Sequence, residues 1–283
     1  MTAEDLEPES PADERLRAIG RLLEIVDRLR EPGGCPWDRE QTVDSMASHL
    51  IEEAHELVEA VDAGDDGETV EEAGDVLMVL ALICRIAGEE ERFDLADAAR
   101  TVSEKLVRRH PHVFGEAEAS DPEHVLRQWE EIKADERREK GGDESALAGV
   151  PRSLPALQRA ARTCGRAVAT GFRWASAAGA LEKVGEEIDE LREALAGVDL
   201  DREAVDPNDL ERERVEAELG DVLLATAFLA DYLGIDPERA CRGALGRFED
   251  RFRFMEGRFG GALGQRSLEE LTAAWSAAKR ALS

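Results

Sequence analysis

The chain has 283 residues, 42% of them apolar and 35% charged, so it can build a core and wholesale disorder is excluded. Its 64 acidic and 36 basic side chains give a formal net charge of -28, which repels phosphate backbones and argues against general nucleic-acid binding. A small anionic ligand stays admissible if a divalent cation stands between it and the protein. The longest apolar stretch, Val76 to Cys84, is too short to cross a bilayer, so no membrane association is expected. The start of the chain, MTAEDLEPESPADER, has no basic region followed by an apolar core, so no secretory leader is expected. Cys35, Cys84, Cys164 and Cys241 are scattered without a CxxC, which reads as reduced thiols in a cytoplasmic protein.

In chain order, an acidic tail over residues 1–14 precedes the first apolar period: Leu16, Ile19, Leu22, Leu23, Val26 and Leu29 recur at helical steps. Gly33-Gly34 breaks it. Thr42 to Asp44 forms a helix start, and Leu50, Ala54, Leu57, Val58 and Val61 continue that helix. Residues 64–67 mark the next break, ahead of the apolar helix through Val76 to Cys84. Asp121-Pro122-Glu123 opens a helix, and the charged run Asp135 to Glu144 with its glycines is the natural divide. The expected division is a first domain over 15–140, a linker over 141–152 and a second domain over 153–283. Asp236-Pro237-Glu238 opens another helix, and Gly260-Gly261 closes one. No alternating strand pattern and no Asn-Gly hairpin signal occurs, so the fold class expected is all-α.

The two halves repeat one ordered set of landmarks. The first has Trp37, then Glu52-Glu53-Ala54-His55-Glu56, then Glu72-Ala73-Gly74-Asp75 leading into VLMVLALI. Lys105-x-x-x-Arg109 and Trp129-x-x-x-Lys133 follow. The second has Trp174, then Glu186-Glu187-Ile188-Asp189-Glu190, then Glu218-Leu219-Gly220-Asp221 leading into VLLATAFLA. Arg247-x-x-x-Arg251 and Trp275-x-x-x-Lys279 follow. The interval from Glu56 to Glu72 is 16 residues and from Glu190 to Glu218 is 28, with the added length in a polar stretch around 197–212 that reads as a loop.

On a helix, Glu53 and Glu56 share a face, as do Glu72 and Asp75. Four carboxylates converging from two helices repel one another unless a cation neutralises them, and an all-oxygen ligand set selects Mg²⁺, with Mn²⁺ as its substitute. A lone EExxE among 64 acids reads as a solvated charged face; the duplication and the linked ExGD favour a metal site. Gly74 and Gly220 sit in mid-helix at a cost in stability, for which close helix–helix approach is the expected reason. A carboxylate-held Mg²⁺ takes phosphate oxygens, so the basic pairs Lys105/Arg109 and Arg247/Arg251 read either as triphosphate clamps or as complements to a helix C-terminus. Trp129 and Trp275 read as base platforms or core anchors. Lys133 and Lys279 reach phosphate or stay solvated. A ferritin-like di-iron site needs Glu-x-x-His on two helices; Glu52 and His55 supply one, and Asp189 breaks the second. A non-catalytic acidic helical adaptor is the rival from another class.

These strings resemble the MazG family of nucleoside triphosphate pyrophosphohydrolases: CPWDREQT (35–42), LIEEAHELVEA (50–60), EEAGDVLM (71–78), KLVRRHPHVF (105–114) and WEEIK (129–133). GFRWA (171–175), KVGEEIDELREAL (183–195), ELGDVLLA (218–225) and RFEDRF (247–252) match in the second half. The resemblance spans about residues 15–280. It implies two tandem all-α helical-bundle modules, a homodimer, and cleavage of a nucleoside triphosphate to the monophosphate and pyrophosphate. It implies magnesium on Glu53, Glu56, Glu72 and Asp75 and on Glu187, Glu190, Glu218 and Asp221. Glu52 and Glu186 are then candidates for orienting the attacking water. Lys105, Arg109, Trp129, Lys133, Arg247, Arg251, Trp275 and Lys279 are then candidate substrate residues, and nucleotide-pool house-cleaning or stress control the expected role. Arg247 departs from the usual Lys. Phe228 and Asp231 stand where an Asn and a basic residue are expected, and Leu245 stands where Asn is common.

Overall fold

The structure is a computed structural model, described here over residues 11–118, 121–139, 141, 143–201 and 211–282. All regular structure among these residues is helical, and no strand occurs among them. The chain separates into two compact units, divided between Glu136 and Arg137.

The first unit holds α1 (Pro11–Arg30), α2 (Pro36–Glu40), α3 (Val43–Ala63), α4 (Asp66–Glu89), α5 (Leu95–Arg109), α6 (Pro111–Phe114) and most of α7 (Pro122–Glu139). Residues 1–10 of the expected tail lie outside the described residues, and 11–14 belong to α1. Thr42 and Ser45 close a reciprocal capping box on α3. Gly64 ends α3 in the left-handed region (φ 72°), where glycine carries no Cβ penalty. Asp65 accepts hydrogen bonds from the Gly67 and Glu68 amides and starts α4. A link this short makes α3 and α4 an antiparallel pair, and the two pack along their length. Val26 of α1, Met46 of α3, and Val79, Ala81, Leu82 and Ile86 of α4 form the core. At about 25 cal/mol per Å² of apolar surface, each larger side chain in this group contributes roughly 1.5–3 kcal/mol.

The second unit holds α8 (Ala156–Ala169), α9 (Ala177–Ala194), α10 (Arg212–Leu233), α11 (Pro237–Phe259), a short 3₁₀ turn (Leu263–Gln265) and α12 (Leu268–Ala281). Here α9 and α8 pack on α10, and α12 packs on α11. Asp236 caps α11 through the Glu238 and Arg239 amides, and Ser267 and Glu270 form a capping box on α12. Much of the expected insertion loop, 202–210, lies outside the described residues. The buried residues of this unit include Cys164, Met255, Pro237, Glu187 and a series of alanines, whereas Leu219, Leu223, Leu224, Phe248 and Phe252 stay exposed. All four cysteines are free thiols, with Cys84 and Cys164 buried. Among the described residues no helix is long and apolar enough to cross a membrane.

Gly74 and Gly220 differ from expectation. A Cβ at either would meet nothing within 4 Å, so close helix approach within either unit is not their reason.

Candidate active site

The α3–α4 pair places the acidic motifs by simple counting. Glu56 lies eight residues before Gly64 and Glu72 eight after it; Glu53 and Asp75 lie eleven on either side. An antiparallel pair turning at Gly64 therefore brings each EExxE carboxylate level with one of the ExxD group. Glu53, Glu56 and Glu72 each present an oxygen within 4.8 Å of the others'. Asp75 stands outside that trio, yet its charge acts on both Glu53 and Glu72. Burial, then the charges of Asp75, Glu56 and Glu52, push the Glu53 carboxyl above the ordinary range, and His49 partly offsets this. Burial, then Glu56, Asp75, Glu53 and Glu71, do the same to Glu72. Glu72 Oε2 is buried with no hydrogen-bond partner among the described residues. A buried carboxylate oxygen without a donor is unstable by itself, and a hard cation among three such groups satisfies it. The donor set, oxygen throughout, fits Mg²⁺ or Mn²⁺.

The same arrangement recurs in the second unit, where Glu187, Glu190 and Glu218 bring oxygens within 4.8 Å of one another. Asp221 again stands outside the trio. Glu187 is buried, and Lys183 of the preceding turn reaches it at 2.8 Å and Glu186 at 3.3 Å. These two contacts hold the Lys183 ammonium charged beyond the usual lysine range, Glu187 contributing most. The position equivalent to Lys183 in the first unit is His49, which faces Glu52 at 3.2 Å. Glu52 and Glu186, the candidate water-orienting residues, are both solvent-facing at the rim of their clusters.

The basic groups divide differently. In the first unit Arg109 Nη2 donates to Glu136 Oε2 at 2.5 Å, Arg109 Nε lies 3.2–3.3 Å from both oxygens, and Arg108 Nε donates to Oε1 at 2.7 Å. These hydrogen bonds, Arg109's foremost, pull the Glu136 carboxyl down to about 2. The Arg109 guanidinium lies 5.7 Å and Lys133 Nζ 4.2 Å from the Trp129 ring centre, and Lys133 also pairs with Glu130 at 2.8 Å. Trp129 thus serves as a cation platform between α5 and α7. Lys105 has no ion-pair partner among the described residues. In the second unit Trp275 packs against Phe248 at 5.3 Å, and Arg251 Nε is buried without a hydrogen-bond partner among the described residues. Arg247 and Lys279 form no ion pair among them. No hydrogen bond or ion pair among the described residues joins either basic group to the carboxylates.

Some residues escaped the sequence reading. Lys183 had a local signal that could have revealed it, Lys-x-x-x-Glu, a helical i,i+4 pair. Glu136 was not, because its partner lies 27 residues away on another helix. Phe228, a departure from the expected Asn, packs edge-on against Trp174 at 5.1 Å, and Tyr232 donates to the Trp174 carbonyl. Its role here is to seat that indole. His110 lies with Nδ1 2.6 Å from the Leu106 carbonyl at the end of α5, in keeping with a capping role.

Two repeats of an all-helical module, each with converging carboxylates, define a duplicated acidic-site protein. Residues 41–114 and 176–253 match the MazG nucleotide pyrophosphohydrolase domain, and these regions carry both carboxylate clusters. The nucleoside triphosphate pyrophosphohydrolase of Escherichia coli strain K12 is 40% identical over 242 residues, 85% of this chain and 88% of its own length. The nucleoside triphosphate pyrophosphohydrolase/pyrophosphatase MazG of Thermotoga maritima is 40% identical over 261 residues, 91% of this chain and 94% of its own. A solved mazG-related protein from Thermotoga maritima is 35% identical and covers 40% of this chain and 97% of its own, at a TM-score of 0.36. This chain belongs to the MazG family and carries its domain twice.

Proposed function

We propose that the chain hydrolyses nucleoside triphosphates to monophosphates and pyrophosphate, with Mg²⁺ or Mn²⁺ as cofactor. The observation that carries this reading is the buried Glu72 Oε2, with no hydrogen-bond partner among the described residues, inside a carboxylate trio that recurs in the second unit. The names of two relatives, each 40% identical over most of this chain, support the substrate class. Glu53, Glu56 and Glu72, with Asp75 beside them, would hold the metal in the first unit. Glu187, Glu190 and Glu218, with Asp221, would hold it in the second. When bound, such a cation neutralises the carboxylates and polarises phosphate oxygens. Glu52 and Glu186, at the rims, orient water and accept its proton. Arg247, Arg251 and Lys279 supply positive charge for the triphosphate, where charge stabilisation is most of the catalytic task. Trp275 flanks that group.

Free thiols at all four cysteines are in keeping with a cytoplasmic setting, and house-cleaning of the nucleotide pool is the role we assign. The alanine-rich core of the second unit and the exposed Leu219, Leu223 and Phe248 support a homodimer that covers them. The test is incubation with each NTP and dNTP plus Mg²⁺, assaying pyrophosphate against orthophosphate, with Glu53→Ala and Glu187→Ala variants alongside. Pyrophosphate and monophosphate, lost in at least one variant, are expected. No turnover with either metal would refute catalysis and leave an acidic helical adaptor.

A further inference from the structure

The two units carry equivalent basic landmarks in opposite states, and the positions around them differ, Arg108 against Asp250 and Glu136 against Leu282. Glu136 lies seven residues after Trp129; the position seven after Trp275 is Leu282. In the first unit Glu136 holds Arg109 through both oxygens and holds Arg108 as well. Its side chain is 13% exposed and that of Arg109 17%. In the second unit Leu282 carries no charge and is exposed, and Arg251 keeps a buried Nε without a partner among the described residues. We propose that Glu136 is the specificity-determining residue that closes the first unit's phosphate clamp, while Leu282 leaves the second unit's open, so that one triphosphate binds per chain. This rests on reading Lys105/Arg109 and Arg247/Arg251 as triphosphate clamps.

The physical basis is competition between anions. A carboxylate in two-point contact with a guanidinium occupies the donors that a phosphate needs. To take Arg109, a triphosphate must expel Glu136 and leave that carboxylate half-buried without its cations. Lys133 is also engaged, with Glu130 and the Trp129 face, which leaves Lys105 as the one candidate substrate cation of the first unit without an ion pair among the described residues. In the second unit an incoming phosphate meets cations with no resident anion among the described residues, so binding satisfies Arg251 Nε instead of displacing a partner.

The test exchanges the two side chains. Inorganic triphosphate with Mg²⁺ is titrated calorimetrically into the full chain, which removes base preference from the comparison. Wild type is expected to bind one equivalent, lost in Arg251→Ala. Glu136→Leu, which copies the second unit, should bind a second equivalent at least tenfold tighter than wild type does. Leu282→Glu, which copies the first, should weaken the original site by tenfold or more. Glu136→Gln removes the charge at nearly constant size and should gain in the same direction, which keeps the test valid if Glu136→Leu fails to fold. Two equal wild-type sites would overturn the proposal. So would folded Glu136 variants with no gain together with Leu282→Glu at wild-type affinity. If instead Arg251→Ala leaves triphosphate binding untouched, the clamp reading itself has failed and the proposal falls with it.

Discussion

Replacing Glu136 by Gln should uncouple part of the chain's stability from acid. The carboxyl titrates at about 2 in the folded chain against an ordinary 4.5, because Arg109 and Arg108 hydrogen-bond to the anion. At about 1.36 kcal/mol per unit, the full difference corresponds to roughly 3.4 kcal/mol. Arg108 is open to water, so solvent screening brings the expected figure to roughly 1–2 kcal/mol. The folded value is depressed, so the contribution is fully present above the unfolded value and is lost as pH falls through the folded one. Urea unfolding followed by tryptophan fluorescence, at fixed pH from 7 down to 3, measures this as the difference between wild type and Glu136→Gln. The difference should be largest at neutral pH and shrink mainly below pH 4. A difference that is absent at pH 7, or constant down to pH 3, would refute the reasoning.

Three other outcomes follow from the geometry. Glu72→Gln should raise thermal stability when divalent cations are chelated at pH 7–8, because the raised folded values of Glu53 and Glu72 mean that ionising the cluster costs stability as pH rises. The same variant should lose much of the Mg²⁺-dependent gain, which for wild type at ten times Kd is about 1.4 kcal/mol; differential scanning fluorimetry with chelator and with Mg²⁺ reads both. Gly74→Ala and Gly220→Ala should each stabilise by about 0.5–1 kcal/mol, since the added Cβ meets open space in a helix interior. A fall in melting temperature would mean that another surface lies over those positions. Lys183→Met should tighten Mn²⁺ binding severalfold in the absence of nucleotide, because the resident cation of Glu187 and Glu186 is gone; an unchanged Mn²⁺ isotherm would remove Lys183 as a competitor.

What was legible in the sequence was whatever a local spacing encodes. The i,i+3 acids and the Gly64 turn fix the first carboxylate trio, because a helix pair with a short link has one register. Caps at Thr42, Asp236 and Ser267 are one-residue signals, of which the first two stood out in the sequence. Contacts between distant helices left no such trace. Nothing local distinguishes Glu136 from the other 63 acids, and its bond to Arg109 exists because α5 and α7 come together. Gly74 and Gly220 misled for the reverse reason: a glycine shows that a side chain is absent, not what occupies the space.

Duplication explains why these distant contacts matter. Two copies of one module carry the same carboxylates and equivalent basic pairs, and the helical frame keeps each set in register. What differs is the side chain that neutralises each set. The first unit gives its acids the imidazole of His49 in place of a lysine, and ties its arginines to Glu136. The second gives its acids Lys183 and leaves Arg251 Nε without a partner among the described residues. A metal cation is favoured where the acids lack a resident cation, and a phosphate where the arginines lack a resident anion. On the proposal made above, the side chains at 49, 136, 183 and 282 bias the two copies toward different ligands without altering the fold.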